Sequence, residues 1–116
     1  MLTGALLGLM RQLGLDVITL TEGISETEFF SSSLTRKEVF RLLRSMTQTA
    51  ADIPLEIRNR MPLIDWAAWA ALQNKLEQPA VYPLQIWVAI QELTPMTVHH
   101  LNGYRRTQPK LFSLVP

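Results

Sequence analysis

Apolar side chains along this chain recur every three to four residues, the period of an α-helix, and no stretch alternates in the manner of a half-buried strand. Over Leu2 to Leu20, the positions Leu2, Leu6, Leu9, Leu13 and Val17 form one stripe, which Leu7, Met10 and Ile18 widen. That breadth predicts a first long helix in contact with more than one neighbour. Gly23 suits the left-handed position that ends such a helix. Ser25 and Glu28 then have capping-box spacing, in which each side chain satisfies the other residue's backbone N–H. The short turn they open brings Phe29 and Phe30 toward the core.

Thr35 and Glu38 repeat that spacing and predict the start of a second long helix, with Val39, Leu42, Leu43, Met46 and Ala50 inward. Pro54 suits the first position of a short helix, Leu55 to Arg60, and Pro62 punctuates its end. Ile64 to Gln78 follows, with Trp69, Leu72 and Leu76 on one face, while Ala67, Ala68, Ala70 and Ala71 permit close helix approach. Pro79 stops it. The last long helix begins near Pro83 and directs Ile86, Trp87, Ile90, Leu93 and Val98 inward. Pro95 lies within that pattern, which predicts a kink or break around Leu93 and Thr94. The resulting expectation is an all-α fold, an antiparallel up-and-down four-helix bundle with short extra helices. It forms one domain over residues 1–106, followed by an irregular tail over 107–116.

Composition adjusts this picture in three places. A chain of 116 residues is one domain, since halves would bury too little to fold. Hydrophobic residues make up 47% and charged residues 18%, an apolar excess expected at a subunit interface. The net charge of +1 weighs against nucleic-acid binding through bulk electrostatics, although a local basic face stays open. There is no cysteine, which removes disulfides and thiolate chemistry. The opening MLTGALLGLM is apolar, but it lacks a basic start and a small-residue cleavage site, and Arg11 and Asp16 interrupt it. A cytoplasmic protein without a membrane span is expected.

Candidate chemistry is sparse. His99 and His100 are adjacent, so on a helix they point about 100° apart, with no carboxylate or thiol three or four residues on. No metal site is expected from them. Ser31, Ser32 and Ser33 lack any nucleophile motif, and the five glycines are too scattered for a phosphate-binding loop, so no cofactor is expected either. Lys37, Arg41, Arg44 and Gln48 share a face of the second long helix and are the candidate contacts for phosphate or an acidic partner. Gln73, Asn74 and Gln78 are amides on an otherwise apolar helix, and Asn74 and Gln78 lie four apart on one face. Amides hydrogen-bond but do not carry out acid–base catalysis near neutral pH.

The run Ile53-Pro54-Leu55-Glu56-Ile57-Arg58, followed by Pro62, Ile64, Asp65 and Trp66, resembles the HepT-like family of the HEPN superfamily. Thr21-Glu22-Gly23, Phe29, Thr35, Val39 and Arg41 match its earlier segments, and Ile86-Trp87 with Leu93-Thr94-Pro95 is similar to its last helix. The resemblance covers roughly residues 10–103. It implies a helical bundle that dimerises and sets two catalytic signatures across a shared cleft. Members are metal-independent ribonuclease toxins, or partners of minimal nucleotidyltransferases that silence them by adenylylating a signature tyrosine.

The signature itself is replaced. Where the family has an Arg, four intervening residues, a His, one more residue and a Tyr, this chain has Gln73, Gln78 and Ala80, while Asn74 and Leu76 hold the register. On the second helix the family's acidic residue becomes Gln48. Gln78 cannot move a proton off a 2′-hydroxyl, Gln73 lacks the cation for phosphorane-like charge, and Ala80 has no hydroxyl to modify. Tyr82 is the nearest hydroxyl, bracketed by Pro79 and Pro83. The resemblance therefore implies a non-catalytic homodimer that binds a nucleotidyltransferase-type protein or RNA in a toxin–antitoxin-related setting. Two alternatives stay open: a ribonuclease whose chemistry has moved to Arg58, Arg60 and His99 or His100, and an unrelated helical adaptor.

Overall fold

A computed structural model describes residues 2–113, so residues 114–116 of the expected tail lie outside the described residues. The first helix, α1, covers Leu2–Thr21. Its buried face is Gly4, Leu7, Met10, Leu13, Gly14, Val17 and Thr21, whereas Leu2 and Leu9 of the expected stripe are 73% and 47% exposed. Leucines ring this helix, so periodicity alone does not select the face. The glycines do. A Cβ on Gly4 would lie 2.4 Å from the Ser113 carbonyl oxygen, and one on Gly14 would lie 2.5 Å from Val98 Cγ2. Close approach is possible only on the arc where side chains are absent. Gly23 (φ 77°) turns the chain beyond the C-terminus of α1, in the left-handed region expected of it.

The capping box of Ser25 and Glu28 forms and opens α2, Glu26–Ser31. Phe29 is fully buried, with ring centroids 5.0 Å from Phe30, 6.0 Å from Phe40 and 5.4 Å from Trp87. The second expected capping box does not form. α3 covers Ser33–Asp52, one turn of it preceding Glu38, and Ser32 at its N-cap makes no side-chain capping bond. Glu38 instead pairs with Arg41 on the helix surface. Val39, Leu42, Leu43, Met46 and Ala50 are buried as their spacing predicts. Thr47 and Thr49, also buried, return their hydroxyls to the Arg44 and Ser45 carbonyls at 2.8 and 2.7 Å.

α4 is a single turn, Leu55–Arg58, ending before the expected Arg60. Met61 and Ile64 bury their side chains in the following loop, whose Met61 carbonyl accepts from Trp66 Nε1 at 3.0 Å. Asp65 caps α5, Trp66–Leu76, by accepting from the Ala68 N–H at 3.0 Å. Trp69, Leu72 and Leu76 face inward as expected. The helix ends at Leu76 rather than Gln78, with Glu77 as its C-cap, and Pro79 disfavours a helical backbone at Gln78 just before it.

α6, Pro83–Val88, widens into a π-helical turn, Ala89–Leu93, and continues as α7, Thr94–Thr107. The proline effect anticipated at Leu93 and Thr94 thus takes the form of a π segment. Pro95 has no N–H and its ring crowds the carbonyl four residues earlier, and a wider turn relieves that contact. The hydroxyl of Thr94 donates to the Ala89 carbonyl at 2.9 Å and helps satisfy the widened ladder. Pro109–Phe112, within the segment read as an irregular tail, forms a 3-10 turn that packs Leu111 and Phe112 against the core.

The described residues form no strand, and one buried cluster runs from Leu7 to Tyr104. α1 packs on α3 and α7, α3 on α5, and α5 on α6. Gly4 meets Phe112, Arg11 meets Asn102 and Gly14 meets Val98, so α1 and α7 run in opposite senses.

Candidate functional site

The positions singled out in the sequence do not converge on one cleft. Gln73 lines a small cavity of about 150 Å³ together with Thr47, Ala50 and Ala51 of α3, Arg58 of α4, and Trp66 and Ala70. Arg58 is held there by its Nε, which donates to the Ile53 carbonyl at 3.0 Å. Asn74 is exposed and does not line that cavity. Gln78 lies beyond the end of α5 in a turn, so it does not share a helical face with Asn74. Ala80 lines a different cavity of about 320 Å³ with Phe30, Arg36, Phe40, Pro79 and Pro83. Tyr82 precedes α6, half-buried, and its carbonyl accepts from the Ile86 N–H at 3.0 Å. α5 ends at Leu76 and the chain turns over residues 77–81, so Gln73 and Ala80 line separate cavities.

The α3 stripe is exposed as expected of a charged face, and it is partly neutralised within itself. Arg41 Nε donates to Glu38 at 3.2 Å, and Gln48 donates to Asp52 at 3.1 Å. The hydrogen bond from Arg41 and its charge hold the Glu38 carboxyl below the usual carboxylate range and raise the guanidinium in return. Lys37 and Arg44 are the members of the stripe without an ion-pair partner among the described residues. The His99 and His100 rings stand 5.4 Å apart, tilted by 60°. Among the described residues no three His, Asp or Glu side chains gather where a metal ion would bind.

Two features were not singled out from the sequence. The first is an apolar groove of about 330 Å³ between α5 and α6. Ala68, Ala71, Leu72 and Lys75 form one wall, and Leu84, Val88, Ala89 and Leu93 the other. The alanine-rich face of α5, which permits close helix approach, was the available signal, and Ala68 and Ala71 form part of one wall of the groove. The second is a cavity of about 440 Å³ where the start of α1 meets the end of α7, lined by Arg11, Arg105 and Phe112. Its arginines are 94 positions apart in the chain, so no spacing rule links them.

No protein-family model, curated protein or solved structure matches this chain. Among the described residues, no helix is long and apolar enough to cross a membrane.

Proposed function

We propose that the chain is a HepT-like cytoplasmic helical protein without family-type catalysis, which pairs with a second copy of itself. The pair would present its surface to a partner protein, such as a minimal nucleotidyltransferase, in a toxin–antitoxin setting. In this reading α1, α3, α5 and the run from α6 through α7 are the members of an antiparallel up-and-down four-helix bundle. The signature positions Gln73, Gln78 and Ala80 offer neither a proton-transfer group nor a cation nor a modifiable hydroxyl.

The observation that supports self-association in this reading is the groove between α5 and α6. Leu84 and Val88 stand 59% and 42% exposed beside a floor of Ala68, Ala71 and Ala89. Removing such a patch from water is favourable in proportion to its apolar area. Lys75 marks the end of the groove next to the turn into α6, and Glu92 follows Val88 by one turn toward the other end. A two-fold axis across the groove would bring Lys75 of each copy toward Glu92 of the other, a pairing of opposite charges. Size-exclusion chromatography with light scattering tests this directly. A species of twice the chain mass is expected at micromolar concentration, reduced to a monomer of unchanged helicity by Val88→Glu. A monomeric native protein removes self-association.

A second reading, a ribonuclease with relocated residues, is favoured by one contact: Arg58 lines the same cavity as Gln73. Cleavage of structured RNA that is lost in Arg58→Gln or in His99→Ala/His100→Ala supports it. No cleavage, or equal cleavage by all variants, removes it.

A further inference from the structure

Charge is unevenly divided between the ends of the chain. No Asp or Glu occurs between Leu2 and Leu15 or after Glu92, and these two segments carry Arg11, Arg105, Arg106 and Lys110. Residues 16–92 hold all 10 acidic residues and the other 7 basic ones, a balance of 7 − 10 = −3. The fold packs the two acid-free segments together, since α1 lies against α7 and against the 3-10 turn that follows it. The chain's small net charge therefore conceals one basic face. Asp16, the acidic residue nearest to Arg11 along α1, acts toward α3, where its charge adds to that of Glu38 in raising Arg41.

A cavity of about 440 Å³ lies on this face, lined by Gly4, Ala5, Gly8, Arg11, Arg105 and Phe112. Arg11 is half-buried and its Nε donates to Asn102 Oδ1 at 2.5 Å, which fixes the plane of the guanidinium and leaves its terminal N–H groups available. Asn102 is neutral, so the positive charge of Arg11 is oriented without being cancelled. Arg105 and Arg106 complement the carbonyl end of α7, an ordinary structural role. That role does not account for Arg11, in the middle of α1, or for two cations lining one cavity with no Asp or Glu among the described residues that line it. An added Cβ on Gly8 meets nothing within 4 Å, so the cavity is open at that point, and the half-buried Phe112 is among the residues that line it.

We propose that this cavity binds a nucleoside phosphate, with Arg11 and Arg105 on the phosphate and the Phe112 ring against the base. Paired guanidiniums match phosphate oxygens in a two-pronged geometry, and an aromatic face stacks on any base. The volume admits one nucleotide unit, either free or as one residue of a strand. The site lies apart from the α5–α6 groove and does not depend on self-association. It also differs from the α3 stripe of Lys37, Arg41 and Arg44 that the sequence offered for the same chemistry.

Fluorescence anisotropy and calorimetry at low salt test it with three probes: ADP, pyrophosphate, and a labelled single-stranded oligoribonucleotide of roughly twelve nucleotides. Arg105→Gln, at an exposed position, and Arg11→Gln are each expected to weaken ADP binding by about tenfold, the loss of one charge-assisted contact. Lys37→Gln/Arg44→Gln is expected to leave it unchanged. Phe112→Leu is expected to weaken ADP but not pyrophosphate. Oligonucleotide binding much tighter than ADP, with a salt slope that flattens by about 0.7 for each arginine removed, identifies a strand as the source. Equal affinity for ADP and the strand identifies the free nucleotide. The proposal is overturned if the native protein binds none of the probes, if both arginine variants bind like the native protein, or if the α3 double variant loses as much.

Discussion

The indole Nε1 of Trp69 donates to Thr97 Oγ1 at 3.0 Å, with both residues buried. The same hydroxyl donates to the Leu93 carbonyl at 2.7 Å, in the last residue of the π-helical turn. One threonine thus accepts from α5 and donates to the segment that joins α6 to α7. A buried polar group left without a partner costs more than the bond itself contributes, so this relay constrains how α5 and α7 can sit.

Thr97→Val removes the acceptor while keeping the volume, and is expected to destabilise the fold by about 1–3 kcal/mol in urea denaturation. Trp69→Phe in the same chain removes the orphaned donor. The double variant is therefore expected to lose less than the two single changes summed.

The two capping-box patterns differ in outcome, and their alanine variants should differ accordingly. Ser25→Ala deletes a cap that forms and is expected to cost about 1 kcal/mol. Thr35→Ala lies inside α3, where no cap forms, and is expected to stay within about 0.5 kcal/mol of the native protein. Thermal unfolding followed by circular dichroism measures both; equal losses would contradict the start of α3 at Ser33.

Glycines in two long helices separate packing from propensity. Gly14→Ala places a methyl 2.5 Å from Val98 Cγ2 and 3.3 Å from Met46 Cε, and is expected to destabilise by about 1–3 kcal/mol. Val98→Ala in the same chain should recover part of that. Gly103→Ala meets nothing within 4 Å, and is expected to stabilise α7 by about 0.5–1 kcal/mol through helix propensity alone.

The proposed pairing across the α5–α6 groove predicts a reciprocal charge effect. Lys75→Glu and Glu92→Lys are each expected to weaken the dimer by about tenfold, since one change acts twice in a two-fold interface. The double variant restores opposite charges and is expected to regain most of the affinity in sedimentation equilibrium. Weakening by the single variants without recovery in the double would place Lys75 and Glu92 elsewhere in the interface.

The helices were legible in the sequence because each is specified by residues within a few positions of one another. The spacing of Val39, Leu43 and Met46, the Ser25–Glu28 box, the turn at Gly23 and the interruption by Pro95 are all local, and each appears in the fold. What tertiary structure decided was the choice among equivalent local options. On α1 several apolar arcs were available, and contacts of Gly4 and Gly14 with α7 and the turn beyond it selected one. At Thr35–Glu38 a valid capping pattern lost to a helix already begun at Ser33, and Glu38 took Arg41 as its partner. The candidate sites show the same division. Gln73 and Ala80 are close in sequence but line separate cavities, because α5 ends at Leu76 and the chain turns before Ala80. Arg11 and Arg105 lie at opposite ends of the chain yet line one cavity, because α1 and α7 run in opposite senses side by side. Periodicity and caps act over a few residues through backbone hydrogen bonds, whereas a binding surface is assembled by packing between helices far apart in sequence.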